Sequence, residues 1–476
     1  MRIIILGAGQ VGSIVAESMA SEENDITLVD LDGAHLKAMQ DRHDIRTITG
    51  NAAYPSVLKA AGAEDADILI AATQSDQTNL VACKVAHSVF NVPLRIARLR
   101  SADFLENSAL LAPECFAVDH AICPEKDITD YIHKLVQFPE ALQVMEFSGG
   151  RVSLVAVRAV DGGTLVSRPI KELTNHLLNV DFRIAAIFRR ERPIVPEGDT
   201  VIQPGDEVFC LAASEHIRFA LGELRKMDRP VRRIMIAGGG NIGLRLARKL
   251  EANYEVKLIE RLPERGAIIA AQLGSTLVLK GDATDEDLME QENISEMDLF
   301  LALTNDDEDN IMAATLAKRL GCRRVLALIN RRAYADMVQD GPIDIGLSPA
   351  QIAISSVLAR FRRGDVAQVH ALRRGAAEAL EIVAHGDSRT SRVVGKRIDQ
   401  LELPYGVTIA AVVRDLDKME TVGHRGMMSD KMKGHVEIAH HDTVIQEGDH
   451  VIVFCTDKKL VNKVDRLFQV GIGFLG

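Results

Sequence analysis

Two glycine-rich turns, each closing an apolar run, recur at an offset of 231 residues (Gly7 to Gly238) in this chain of 476. The first follows Ile3-Ile4-Ile5-Leu6 and reads Gly7-Ala8-Gly9-Gln10-Val11-Gly12; the second follows Ile234-Met235-Ile236-Ala237 and reads Gly238-Gly239-Gly240-Asn241-Ile242-Gly243. Both have the pattern Gly-x-Gly-x-x-Gly. Between a strand and a helix, the first glycine permits the tight bend, the second lets backbone amides reach a diphosphate, and the third allows the helix to pack against the strand. The phosphates then lie at a helix N-terminus, where unpaired N–H groups and the helix dipole favour negative charge.

A dinucleotide site of this kind also needs an acidic residue at the end of the next strand. Asp30 ends the run Asp25-Ile26-Thr27-Leu28-Val29, and Glu260 ends Glu255-Val256-Lys257-Leu258-Ile259. A carboxylate there accepts hydrogen bonds from the two hydroxyls of an unphosphorylated ribose and repels a 2′-phosphate, so NAD(H), ATP or ADP fits better than NADP. Arg261, next to Glu260, weakens that exclusion in the second copy. The alternative for either copy is a doubly wound domain whose pocket has lost its ligand.

The correspondence extends beyond the glycines. At the same offset, Thr49-Gly50-Asn51-Ala52 matches Lys280-Gly281-Asp282-Ala283, the run Ala66 to Thr73 matches Met297 to Thr304, and Asp76 and Asn79 match Asp307 and Asn310. The acidic residues alone stand 230 apart (Asp30 to Glu260), which implies a one-residue deletion that is later recovered. The chain is an internal duplication. Short β-branched runs alternate with amphipathic segments such as Gln77 to Val89, the pattern of a parallel sheet covered by helices on both faces.

Ligands of such sheets gather at the C-terminal ends of the strands. Thr73 and Thr304 fall there, as ligand contacts or as hydrogen-bonding groups of the strand end. So do Arg98 and Arg100, as phosphate partners or as a solvated pair. The 231 offset puts Ile329 opposite Arg98 and Arg331 opposite Arg100, so the two sites are expected to differ. The candidate contact set is Gly7, Ala8, Gly9, Gln10, Val11, Gly12, Asp30, Asn51, Thr73, Arg98 and Arg100 in the first copy. In the second it is Gly238, Gly239, Gly240, Asn241, Ile242, Gly243, Glu260, Asp282, Thr304 and Arg331.

After each sheet a proline, Pro124 or Pro349, opens a helical stretch expected to run to about Leu142 and Arg363 respectively. A small β-rich lobe follows, marked by Asp199-Thr200-Val201-Ile202-Gln203-Pro204-Gly205-Asp206 and by Asp442-Thr443-Val444-Ile445-Gln446-Glu447-Gly448-Asp449. Each lobe is near the minimum size for an independent core and serves as a dimerisation or ligand-sensing unit or as a structural appendage. The expected architecture is α/β: two tandem doubly wound parallel-sheet (Rossmann-like) domains, each followed by a crossover helix and a small α+β lobe. The expected limits are 1–118, 119–143 and 144–228 for the first domain, helix and lobe, and 231–343, 344–372 and 373–476 for the second.

These motifs in this order resemble tandem RCK (also called KTN) domains, and the resemblance covers essentially the whole chain. It implies a non-catalytic cytosolic regulatory subunit that binds NAD(H) and adenine nucleotides. It further implies assembly on a membrane-embedded Trk-type potassium translocation subunit, at the inner face of the cell membrane. The family's nucleotide contacts carry over to Gly7 through Val11, Asp30, Thr73 and Arg98, and to Gly238 through Ile242, Glu260 and Thr304. Duplicated units of this kind pair about a pseudo-two-fold axis and again between chains, so a homo-oligomer, dimer or tetramer, is expected.

Composition agrees with this reading. The 47% hydrophobic residues can fill several small cores, and the longest apolar runs are too short to span a bilayer. With 56 basic against 67 acidic residues and a net charge of −11, a nucleic-acid partner is not expected. Small basic clusters stand at 229–233, 323–324 and 360–374; the last reads chiefly as a solvated helix face, the alternative being a contact with acidic loops or lipid headgroups. The six cysteines lack Cys-x-x-Cys spacing and read as reduced thiols. His435, His440, His441 and Asp442 follow the loop 423–434 without regular ligand spacing, and no metal is expected there. The competing function is an NAD-dependent oxidoreductase with a duplicated cofactor domain. It would require a further domain presenting substrate and an acid/base group, for which the chain has no segment left over.

Overall fold

A computed structural model describes residues 1–20, 24–172, 181–190, 192–225, 229–331, 333–334, 338, 341–352, 357, 366–372, 376–414 and 435–470. Several segments singled out in the sequence lie outside these residues in whole or part: the boundary residues 226–228, most of the second crossover helix, the arginines of the 360–374 cluster, and the loop 423–434.

The first domain is a six-stranded parallel sheet of β1 (Arg2–Leu6), β2 (Asp25–Asp30), β3 (Arg46–Thr49), β4 (Ile68–Ala71), β5 (Leu94–Arg98) and β6 (His120–Ile122). Its order is β3-β2-β1-β4-β5-β6, so the direction of winding reverses between β1 and β4. Ile3, Ile4, Ile5 and Leu6 are all buried because the sheet is covered on both faces. The first lobe is an antiparallel sheet of β7 (Ala141–Phe147), β8 (Val152–Arg158), β9 (Phe182–Arg189), β10 (Arg192–Ile194) and β11 (Glu207–Ala213), in the order β10-β9-β11-β8-β7.

The second domain repeats the first with β12 (Arg233–Ala237), β13 (Glu255–Glu260), β14 (Leu277–Lys280), β15 (Leu299–Ala302), β16 (Arg324–Leu328) and β17 (Ile345–Leu347), in the order β14-β13-β12-β15-β16-β17. The second lobe repeats its counterpart with β18 (Val366–Leu372), β19 (Ala377–Val383), β20 (Val407–Arg414), β21 (His435–Ile438) and β22 (His450–Cys455), in the order β18-β19-β22-β20-β21. The α/β duplication expected from the sequence is therefore the fold.

The limits differ from expectation. The last strands of the parallel sheets, β6 and β17, and the starts of the lobes, β7 at Ala141 and β18 at Val366, fall inside the stretches 119–143 and 344–372 expected as crossover helices. The helix opened by Pro124 ends at Gln137, short of Leu142. Phe138 precedes Pro139, and a residue before proline is driven out of the helical region. The offset between the halves also shrinks to 230 before β5, because Ile68 pairs with Leu94 while Leu299 pairs with Arg324. The helix Asp76–Phe90 is followed by Asn91 in the left-handed conformation, whereas Asp307–Arg319 ends earlier, with left-handed Gly321 in the corresponding place.

The chain divides into two compact units. One contains Met1–Ile132 and Arg232–Val357, the two parallel-sheet domains, and the other His133–Val231 and Leu358–Gly476, the two lobes. Within the second unit the lobes share one core. Phe147, Leu154, Phe188 and Phe209 of the first pack with Leu372, Val413, Ile452 and Phe454 of the second, and the rings of Phe209 and Phe454 lie 5.3 Å apart. A lobe too small for a sufficient core of its own gains one by pairing with its duplicate. The repeated lobe signature closes a turn. Gly205 and Gly448 have positive φ, and Arg189 grips Asp206 through two hydrogen bonds of 2.8 Å. Asp449 accepts the Gln446 N–H at 2.7 Å and lies 3.4 Å from Arg414.

Candidate nucleotide sites

Each glycine loop stands at the C-terminal end of its central strand, beside the reversal in winding. Gly7 and Gly238 have φ of +100° and +102°, a conformation that favours glycine. The third glycines are held by packing. A Cβ on Gly12 would lie 1.8 Å from the Gly7 carbonyl oxygen, and one on Gly243 would lie 1.9 Å from that of Gly238. The middle glycines differ, for a Cβ on Gly9 or Gly240 would meet nothing within 4 Å. Glycine is thus not needed there for the protein's own packing. It leaves the backbone open to an outside group at the start of the helices Gln10–Ala20 and Asn241–Leu250. That opening fits a diphosphate.

The acidic residues reach these loops. Asp30 accepts the Ala8 N–H at 2.6 Å and the Asp32 N–H at 2.9 Å; Glu260 accepts the Gly239 N–H at 3.0 Å and the Leu262 N–H at 2.9 Å. Each carboxylate therefore ties the glycine loop to the end of the neighbouring strand, and each oxygen retains acceptor capacity for a ribose hydroxyl. The extra methylene of glutamate is accommodated in the loop. A Cβ on Gly239 would lie 2.2 Å from Ile269 Cδ1 and 2.8 Å from Glu260 Oε2. Alanine stands at that place in the first copy, beside the shorter aspartate. Glu260 is buried and Asp30 only half-buried, so the first carboxylate is the more accessible.

Thr73 and Thr304 hold the strand ends. Thr73 Oγ1 donates to Asn79 Oδ1 at 2.7 Å, and Thr304 Oγ1 donates to Asn310 Oδ1 at 2.8 Å. Both asparagines are completely buried and bridge two strand ends. Asn79 Nδ2 donates to the carbonyls of Thr73 and Arg98, and Asn310 Nδ2 to those of Thr304 and Leu328. Asp76 accepts the N–H groups of Arg100 and Ser101, each at 2.9 Å, while Asp307 accepts those of Asn330 and Arg331. Asn51 and Asp282 fold onto the second residue after them, and the Thr284 N–H and hydroxyl hold the Asp282 carboxyl below its ordinary range.

These contacts correct two pairings expected from sequence spacing. The counterpart of Arg98 is Leu328, not Ile329, and the counterpart of Arg100 is Asn330, while Arg331 matches Ser101. The cause is the residue lost after the helix Asp307–Arg319. Arg331 instead points to Glu308 at 2.7 Å and Tyr334 at 2.9 Å.

In the first copy Arg98 Nη2 donates to Glu125 Oε1 at 2.8 Å, with side chains only 13% and 14% exposed, and Arg100 Nε lies 3.4 Å from the same oxygen. Glu125 was not singled out in the sequence. Its signal is an acid in the first turn of the helix opened by Pro124, a turn that also holds Asp127. Arg98, Arg100 and Glu125 thus form a charged group at the crevice that the second copy lacks.

Two models describe the chain by sequence. The TrkA-N domain matches residues 3–124 and 234–349, and the TrkA-C domain matches 154–220 and 388–469. The Trk system potassium uptake protein TrkA of Halomonas elongata is 51% identical over 474 residues, and that of Vibrio alginolyticus is 50% identical over 476, each covering 100% of both chains. Among solved structures, the GsuK RCK domain has a TM-score of 0.59 at 17% identity, covering 98% of this chain and 94% of that one. The GsuK channel bound to NAD has a TM-score of 0.59 at 17% identity, covering 98% of this chain and 78% of that one. These two likenesses concern the fold. The relatives are named as potassium uptake proteins and not as dehydrogenases, which goes against the oxidoreductase reading. With two TrkA-N and two TrkA-C domains in one polypeptide and full-length identity of 50% or more to such relatives, the chain belongs to the TrkA family of Trk system potassium uptake proteins.

Proposed function

We propose that the chain is the nucleotide-sensing subunit of a Trk potassium uptake system. It binds NAD(H), or ATP or ADP in its place, at the loop Gly7–Gly12 with Asp30, and more weakly at the loop Gly238–Gly243 with Glu260. The observation that carries this reading is the open approach to Gly9 and Gly240 at the two helix starts, each beside a carboxylate anchored on the same loop. When bound, the nucleotide supplies a diphosphate for the helix N-terminus and hydroxyls for the carboxylate. The chain's own residues fix the loop, exclude a 2′-phosphate and, at the first site, offer Arg98 and Arg100 to further phosphate groups. The name of the NAD-bound GsuK channel agrees with an NAD-type ligand for this fold.

No helix among the described residues is long and apolar enough to cross a membrane. In this reading the chain acts on potassium flux through a membrane-embedded Trk-type translocation subunit, as a homo-oligomer on its cytoplasmic side; the relatives' name as Trk system potassium uptake proteins supports it. Nucleotides that bind two arrangements of the subunit unequally shift the population between them, and that shift gates the partner. Calorimetric titration with NADH, NADPH, ATP and ADP tests the sites, with Asp30→Ala and Glu260→Ala removing one at a time. NADH or ATP should bind, with NADPH weaker by at least tenfold, and each variant should lose one site. Equal affinity for NADPH, or binding indifferent to both substitutions, would refute the assignment. Transport by the partner in vesicles, with and without nucleotide, tests the gating.

A further inference from the structure

The helix Asn241–Leu250 begins at the second glycine loop and reaches the first domain. Arg245, on its second turn, donates from Nη2 to the backbone carbonyl of Arg100 at 3.2 Å. One turn on, Lys249 Nζ lies 2.6 Å from Asp130 Oδ1, on the helix Pro124–Gln137 that also carries Glu125. The main chain of Arg100 is therefore held from two sides: its N–H by Asp76 of its own domain and its carbonyl by Arg245 of the other. The side chains that leave this segment are Arg98 and Arg100, both directed at Glu125.

The reverse connection cannot be built from the same parts. By the offset of 231, Ile14 stands for Arg245 and Ser18 for Lys249 in the first helix, so neither carries a cation. The counterpart of Arg100 is Asn330. The duplication has thus become asymmetric, with a cationic arm running from the second glycine loop to the arginine segment of the first site.

We infer that Arg245 is a positioning residue for the first nucleotide site and makes that site respond to occupancy of the second. This rests on the nucleotide reading above. A ligand that draws the second glycine loop and its helix start toward its phosphates shifts Arg245 and with it the Arg100 carbonyl. That movement changes how Arg98 and Arg100 divide between Glu125 and a bound phosphate. Linkage requires the effect on affinity to be equal in both directions.

Calorimetry on the full-length chain tests this, with ATP and NADH as probes. Gly240→Glu blocks the second site without crowding the fold, since Gly240 has ordinary φ of −64° and open space at its Cβ. In an otherwise unmodified chain, blocking the second site should change first-site affinity by about fivefold or more. In Arg245→Met the first site should still bind, yet its affinity should be the same with the second site open or blocked. Arg245→Lys, which keeps a shorter cation, should restore part of the response. Two sites that bind without influencing one another, or coupling that survives in Arg245→Met, would overturn the inference and leave the nucleotide reading intact. Absence of nucleotide binding in the unmodified chain would overturn both.

Discussion

At the scale of single residues, the glycines of the second loop serve different ends: Gly240 and Gly243 belong to the fingerprint, and Gly239 stands between Gly238 and Gly240, where the first copy has Ala8. Gly243 is required by the Gly238 carbonyl 1.9 Å from its would-be Cβ, Gly239 by Ile269 and Glu260, and Gly240 by nothing in the protein itself. Alanine at Gly243 should cost about 3 kcal/mol or more, because the obstacle is backbone. At Gly239 it should cost about 1–2 kcal/mol, because a side-chain end can yield. At Gly240 the change in stability should stay within about 0.5 kcal/mol while nucleotide affinity falls. Urea denaturation of the three variants checks the order, and a large loss at Gly240→Ala would contradict it. The fingerprint was legible as a string, whereas the reason for each glycine needed the neighbours that folding brings to it.

At the scale of elements, the end of β4 and the end of β5 are joined by a buried asparagine rather than by ladder hydrogen bonds. Asn79 satisfies the Thr73 N–H and hydroxyl together with the carbonyls of Thr73 and Arg98, and Asn310 repeats the arrangement. Removing it strands several buried polar groups at once. Asn79→Ala and Asn310→Ala should each lose about 2–4 kcal/mol. Amide exchange at residues 73–75 and 98–101, or at 304–306 and 328–331, should speed up in the affected domain alone. Unchanged exchange would show that the bridge does not hold the crevice. These asparagines stood out in the sequence only as matching letters. A polar residue three positions after a matched aspartate carries no sign of its burial, which is set by how the helix lies on the sheet. The arginine pairings were misread for a related reason. One residue is lost at a helix end, and only strand register reveals where the frame moved.

At the scale of the whole molecule, the duplicated parts regroup: domain with domain in one unit and lobe with lobe in the other. The lobes' common core makes their stability collective. Phe209→Ala should cost about 3–5 kcal/mol and weaken amide protection in β22 of the other lobe as well as in β11. Loss confined to the first lobe would argue for independent cores. The same unit contains acid-sensitive groups. Burial presses His370 down from its ordinary 6.5 to about 4, against the Glu146 carbonyl that its ring meets at 3.1 Å. Burial alone would raise Glu381, but His450 at 2.7 Å and Ser148 of the other lobe hold its carboxyl below the ordinary range. Both folded-state values are depressed, so the unfolded chain binds more protons and stability falls as pH falls. The histidine contribution disappears between pH 6.5 and about 4. It amounts to about 2 kcal/mol, less than the full shift because the residue is only half-buried. The carboxylate contribution goes below the ordinary carboxylate range. Urea midpoints measured from pH 7 to pH 4 should decline, and His370→Leu should flatten the upper part of that decline; an unchanged slope would refute this assignment.

The sequence by itself determined the duplication, the parallel sense of the two larger sheets, the two glycine loops with their acids, and the family, because these depend on local periodicity and on residue types at fixed spacing. Tertiary structure alone decided which side chains those loops would meet: Glu125 against Arg98, Asn79 beneath Thr73, Arg245 on the Arg100 carbonyl, and one lobe against its copy. Each of these joins residues distant in the chain or displaced by a one-residue shift. Packing and register fix such pairs, and a linear pattern carries no record of them.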